Sequence, residues 1–215
     1  MTYLFEDGEL NDFLRSRLQL ALQIASLLVE DELLARSTED LVHDLAPHAL
    51  IDPLVLHHTS VVDGDVTEVL VDVSREMLWH GDKARGFRVS ASYAFEGDSD
   101  LFRFTPSHRI MRRLDATLSE DRITISFERP GAIDHTQAAA VLSELISPIA
   151  TMASHASRDA EQHNAAVAGQ LRSAIEDRKQ RVMERRALAG SLGFPLTRRP
   201  DAPKPVPLSR RPIGT

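Results

Sequence analysis

Apolar residues in the opening segment recur at Leu10, Phe13, Leu14, Leu18, Ala21, Ile24, Ala25 and Leu28. These three- and four-residue steps predict a helix from Glu9 to Leu34 with one buried face. A second, shorter helix is expected after it: Ser37 or Thr38 caps its amide end, Glu39 and Asp40 suit the positive end of its dipole, and Leu41, Val42 and Leu45 form its apolar side before Pro47. Together they read as a helical hairpin.

The period then changes. Pro53-Leu54-Val55-Leu56, Ser60-Val61-Val62 and Val66–Val73 are rich in branched residues and separated by acidic, turn-forming residues. Within the last run Val66, Val69, Val71 and Val73 nearly alternate, with Glu68, Leu70 and Asp72 between them, as in a strand with one face buried. Phe87, Val89, Ala91, Tyr93 and Phe95 alternate more cleanly against Arg88, Ser90 and Ser92. Gly97-Asp98-Ser99-Asp100 is turn chemistry, and Leu101, Phe102 and Phe104 are expected to begin a return strand. A second hairpin is expected over Asp115–Phe127, turning at Ser119-Glu120-Asp121. The middle of the chain therefore reads as an antiparallel sheet of about five strands.

Pro130-Gly131 closes the sheet, and Asp134 is placed to cap a long helix running from His135 to Ala189. Pro148 is expected to kink or break it, because proline removes a backbone donor and crowds the preceding turn. Val141, Leu142, Leu145, Ile149 and Met152 give a full apolar face. Beyond Met152 only a thin stripe remains, Val167, Leu171, Ile175, Val182 and Leu188, which suits pairing with another helix, including one from a second copy. Five prolines between Pro195 and Pro207 favour an extended connection. The expected class is α+β: a helical hairpin, the sheet, a long C-terminal helix and a proline- and arginine-rich tail. Its expected divisions are a body at 1–153, a basic helix at 154–192 and a tail at 193–215.

Charge changes this picture. The net −7 of the 215 residues divides into −14 for residues 1–170 and +7 for residues 171–215. Such an acidic body with a basic arm points to an acidic partner, a second subunit, or a nucleic acid whose phosphates the arm would bind. The cations of that arm are Arg172, Arg178, Lys179, Arg181, Arg185 and Arg186, followed by Arg198, Arg199, Lys204, Arg210 and Arg211; the first eight are the candidate binding residues. No aromatic residue interleaves them, which weakens a base-stacking role. The acids Glu176 and Asp177 share the same helix.

Composition removes several chemistries. With no cysteine there are no disulfides, thiolate metal sites or cysteine nucleophiles. No apolar run approaches the roughly 20 residues that cross a bilayer. The start, Met1 to Phe13, is acidic where a signal peptide would be basic, so a cytoplasmic protein is expected. Among the nine histidines, His57-His58 would point to opposite faces of a strand. His155 and His163 would lie about 12 Å apart along a helix, too far to share an ion. Asp63-Gly64-Asp65 with Glu68, and Asp98 with Asp100, look like oxygen-rich loops but lack calcium-loop spacing and read as turns. Nucleophile-elbow and phosphate-loop motifs are absent. Asp177-Arg178-Lys179 has the letters of a nuclease acid-x-Lys pair, but in a helix. No catalytic residue, metal ligand or cofactor is assigned.

The run from Glu176-Asp177-Arg178-Lys179 through Ser191-Leu192-Gly193-Phe194-Pro195-Leu196-Thr197-Arg198-Arg199-Pro200-Asp201-Ala202-Pro203 resembles a segment of uncharacterised bacterial proteins. The stretches Gly97-Asp98 to Leu101-Phe102 and Thr105-Pro106 resemble the same region. In those proteins it is N-terminal and precedes a restriction-endonuclease-like or other effector domain. The resemblance implies a module associated with defence against phage or foreign DNA, and it brings no functional residues with it. The expected function is a non-enzymatic sensor or adaptor that docks a protein partner or effector. The alternatives are a nucleic-acid-binding regulator and an enzyme with an unfamiliar site.

Overall fold

The computed structural model describes residues 2–72 and 83–192. Val73 and the proline-rich segment with Arg198 and Arg199 lie outside the described residues. In chain order the elements are β1 (Thr2–Tyr3), α1 (Leu10–Leu27), α2 (Glu30–Ala35), α3 (Thr38–Leu45), a 3-10 turn (Ala46–His48), β2 (Val55–Asp72), β3 (Lys83–Glu96), a second 3-10 turn (Ser99–Phe102), β4 (Asp115–Leu118), β5 (Arg122–Pro130) and α4 (His135–Ser191). The class is α+β, with an antiparallel sheet and a long C-terminal helix.

The first expected helix is in fact two. α1 stops at Leu27, Val29 is extended, and α2 restarts at Glu30. The reason lies in Glu30, Asp31 and Glu32, which would oppose the negative end of one continuous helix but stabilise the first turn of a new one. α3 is capped as expected, and Ser37 is the residue that does it, its hydroxyl accepting from the Asp40 amide at 3.0 Å.

The sheet order is β1-β4-β5-β3-β2, with β2 to β5 antiparallel and the short β1 added beyond β4. The three expected runs between Pro53 and Val73 belong to one strand, β2. Their interruptions survive as register shifts at Leu56/Val61 and Val61/Asp63. Asp63-Gly64-Asp65 is therefore strand rather than turn. The return strand expected from Leu101 is also corrected. Leu101 and Phe102 are consecutive and both fully buried, which alternation on a strand forbids and a single helical turn allows. Asp98 starts that turn by accepting from the Asp100 amide at 2.9 Å. α4 passes through Pro148 without a break; Pro148 leaves the Glu144 carbonyl without its helical donor on an exposed turn.

The chain divides into two compact units, each drawing on separated stretches of sequence. One holds the residues up to Ser16 together with Ile51–Asn164; the other holds Arg17–Leu50 and the described residues from Ala165 onward. In the first, Val89 on β3 is buried beside a core of Ala91, Tyr93 and Phe95 with Ile123 and Ile125 from β5, and that core extends to Ile146, Ile149, Met152, Ala153, Ala156 and Ala160 of α4. The small residues after Met152 are thus part of the core. Phe102 meets Phe95 edge-on, with ring centroids 5.0 Å apart. In the second unit Leu18, Ala21, Ala25, Leu28, Leu33, Leu41, Val42 and Leu45 enclose Val167, Leu171, Ile175 and Val182. Most of the thin stripe expected to await another helix is therefore covered by this chain's own α1 to α3, while Leu188 remains exposed.

Candidate interaction surface

β2 is the edge of the sheet, and among the described residues it pairs only with β3. One side of its backbone is therefore open. Which residues face that side follows from β3. The Arg85 carbonyl accepts from Gly131 and the Phe95 amide donates to Asp121, so the odd residues of β3 turn their backbone groups toward β5. The even residues of β3 then turn toward β2, where the register gives them Asp63, Asp65, Thr67, Val69 and Val71. Gly64, Val66, Glu68, Leu70 and Asp72 are left with amides and carbonyls on the open side. Consistently, the Gly64 amide meets its neighbour Asp63 Oδ1 at 2.9 Å.

Side chains along this edge alternate too. Val66, Glu68, Leu70 and Asp72 lie on the face shared with Val89, Phe87, Arg85 and Lys83. Asp63, Asp65 and Thr67 lie on the other, beside Ser92, Ser90 and Arg88. Val66 is 61% exposed and Leu70 64%, so the expectation of a strand with one face buried holds here only for Val71. The second sheet face is polar: Ser92 Oγ meets Thr124 Oγ1 at 2.8 Å, and Arg88 binds Glu128 Oε1 through two guanidinium nitrogens at 2.9 and 2.6 Å. From Val55 to Asp72 there are four acids and no lysine or arginine. Glu68 and Asp72 lie 3.9 and 4.0 Å from Arg85 and Lys83, both loose and solvent-exposed pairs.

The basic arm has a different environment. Arg172 binds Glu39 in the first turn of α3 through two hydrogen bonds of 2.8 and 3.0 Å. This pairing raises the arginine pKa and holds the Glu39 carboxyl below its ordinary value. Arg178 donates to the Ala25 and Leu28 carbonyls at the end of α1, and Lys179 to the Arg36 carbonyl at the end of α2. Helix C-termini leave such carbonyls unsatisfied and partly negative, and a cation supplies both donor and charge. Burial, with the Arg181 charge second, lowers the Arg178 pKa. Arg185 pairs with Glu30, and Arg186 with Glu30 and Asp31 in the first turn of α2. Of the six described cations only Arg181 is exposed without an acidic partner among the described residues. The described part of the arm is thus directed largely at the ends of its own neighbouring helices.

Two features escaped the sequence reading. Asp159, the one charged side chain buried in the described core, accepts from the Ser107 amide and hydroxyl, both at 2.7 Å. His108 Nδ1 lies 3.1 Å from the same hydroxyl, and the His155 Nδ1 contacts the His108 carbonyl at 2.8 Å. The set has the residue types of a hydrolytic triad but not its relay, because the carboxylate holds the serine and not the histidine. It ties the loop after the second 3-10 turn to α4. In that loop Arg113 stacks on Tyr3 at 3.6 Å and pairs with Glu6, while Arg109 and Arg112 are exposed. On β2, His57 Nε2 contacts Glu96 and His58 Nδ1 contacts the Leu56 carbonyl, each at 3.3 Å. Among the described residues no three histidine or carboxylate side chains converge as a metal site would require, and no helix is long and apolar enough to cross a membrane.

No family model, curated protein or solved structure matches the chain.

Proposed function

We propose that this chain is a non-catalytic docking module, an adaptor that holds a protein partner along the edge of its sheet. The observation that carries this reading is β2: an edge strand of 18 residues, open on one side, with Val55, Val61, Val62, Val66 and Leu70 each at least half exposed. Long edges are templates for another chain, and proteins normally shorten, cover or charge them; this one is charged by four acids but leaves its valines and leucine exposed. The resemblance seen in the sequence makes an effector, such as a nuclease acting in bacterial defence, the partner to seek first. The nucleic-acid alternative has less support, since five of the six described cations of the basic arm already bind this chain's own carboxylates and carbonyls.

Site-specific photo-crosslinking in cells tests the proposal. A crosslinking residue at Val66 or Leu70 is expected to give a discrete heavier adduct containing a second protein. The same group at Ser143 of α4 or Thr117 of β4, both exposed, is expected to give little. Equal labelling from all four positions, or none from β2, overturns the reading.

A further inference from the structure

We infer that the open side of β2 accepts an extended, lysine- or arginine-bearing segment of another protein as an added strand. This rests on the docking reading above and specifies the chemistry of the partner. The usable edge is Asp63–Asp72, the stretch in continuous register with β3 beyond the two shifts. Its outward carbonyls, and its outward amides at Val66, Glu68, Leu70 and Asp72, supply main-chain partners for one more strand, while the Gly64 amide is held by Asp63 Oδ1. No proline interrupts it.

Side-chain chemistry then selects the occupant. On one face the edge offers Val66, Glu68, Leu70 and Asp72 in strict apolar–acid alternation. On the other it offers Asp63, Asp65 and Thr67. Cross-strand neighbours are most stable when apolar meets apolar and opposite charges meet. The complementary segment therefore alternates branched apolar residues with lysine or arginine, and carries further cations on its second face. The same four acids argue against a second copy. Two β2 strands paired about a two-fold axis would bring eight carboxylates together with no intervening lysine or arginine, and like charges across strands are destabilising. The acids guard the edge against self-association and leave it open to a basic strand.

The test uses the full chain and a blocked, fluorophore-labelled decapeptide repeating Val-Lys-Lys-Lys, so that one strand face alternates valine with lysine and the other is all lysine, titrated by fluorescence anisotropy. Binding is expected, weakening steeply as salt rises. Replacing lysine by glutamate in the peptide is expected to abolish it. Methylating every backbone nitrogen of the peptide, so that neither edge can donate, is expected to weaken binding at least tenfold with charge unchanged. The protein with its edge acids neutralised by Asp63→Asn, Asp65→Asn, Glu68→Gln and Asp72→Asn should lose at least tenfold. Val66→Pro, which removes an outward amide and spares the ladder to β3, should do the same, with far-UV circular dichroism confirming that each variant folds. Equal binding of the methylated peptide, or of the neutralised protein, overturns strand addition, as does self-association crosslinked through Val66. If Val66 and Leu70 still crosslink a partner protein while the peptide fails to bind, the docking reading stands and the strand-addition inference falls.

Discussion

Replacing Arg178 by methionine separates a cation that holds the fold together from one that waits for a partner. Methionine keeps an unbranched apolar stem of similar reach and removes the guanidinium, leaving the Ala25 and Leu28 carbonyls without their donors. Hydrogen bonds to charged groups contribute about 1.5–3 kcal/mol each. Two opposing effects reduce the sum. The guanidinium is partly desolvated, as its lowered pKa reflects, and the side chain is only half-buried, so water reaches part of the vacated space. A net loss of about 2 kcal/mol remains, which for a chain of this size lowers Tm by roughly 4–8 °C. Arg185→Met is the contrast. That arginine is 63% exposed and meets Glu30 at the surface, where ion pairs contribute about 0–1 kcal/mol. Urea unfolding at neutral pH, followed by far-UV circular dichroism, reads both. If Arg178→Met unfolds within about 0.5 kcal/mol of the parent chain, or no lower than Arg185→Met, the capping role is wrong. A fully stable Arg178→Met protein that has lost its partner would return the residue to the binding surface.

Two further outcomes follow from geometry. Gly97 has φ +96°, and a Cβ there would stand 2.1 Å from the Pro53 carbonyl oxygen; Gly97→Ala combines backbone strain with a backbone clash and should cost at least about 2 kcal/mol in urea unfolding. Glu39 has a folded pKa below its ordinary 4.5 because Arg172 donates hydrogen bonds to it, so its contribution is complete above that value and is lost as pH falls through the folded value. The gap in urea midpoint between the parent chain and Arg172→Gln should therefore be present at neutral pH and close in acid; a gap independent of pH would refute the pairing.

Periodicity revealed the elements whose faces differ in polarity. The alternation from Phe87 to Phe95 marks β3 because one face is core and the other is serine and solvent. The steps from Leu10 to Ala25 mark α1 for the equivalent helical reason. Periodicity misled where burial is not periodic. β2 has almost no buried face, so its valines looked like fragments of three strands, and its acids looked like turns. Leu101 and Phe102 are buried together, which no strand pattern represents. The break between α1 and α2 was visible only as three consecutive acids, a signal that gains meaning once a helix dipole is assigned to it.

The charge split shows the same limit more sharply. As a one-dimensional count, +7 on the last 45 residues looks like a surface offered to something else. Its described partners are 133 to 155 residues away in the chain, and two of the cations meet carbonyls, which carry no formal charge and leave no trace in composition. A cation that caps a helix end and one that awaits a phosphate are identical in sequence. They differ in whether the end of a helix lies within reach. Once those pairings are made, the exposed acids of β2 stand out among the described residues, with only loose contacts from Arg85 and Lys83. Asp63, Asp65, Glu68 and Asp72 lie on a strand with no lysine or arginine of its own, and apart from the Gly64 amide its outer backbone groups show no partner among the described residues. Among the described residues, the acids of this strand are then less fully paired than the cations of the helical part of the basic arm. Charge complementarity across an interface governs which partner is admitted and how fast it arrives more than how tightly it is held, so under the strand-addition proposal the acids of β2 would select a basic strand while the outward backbone and the exposed valines and leucine would hold it.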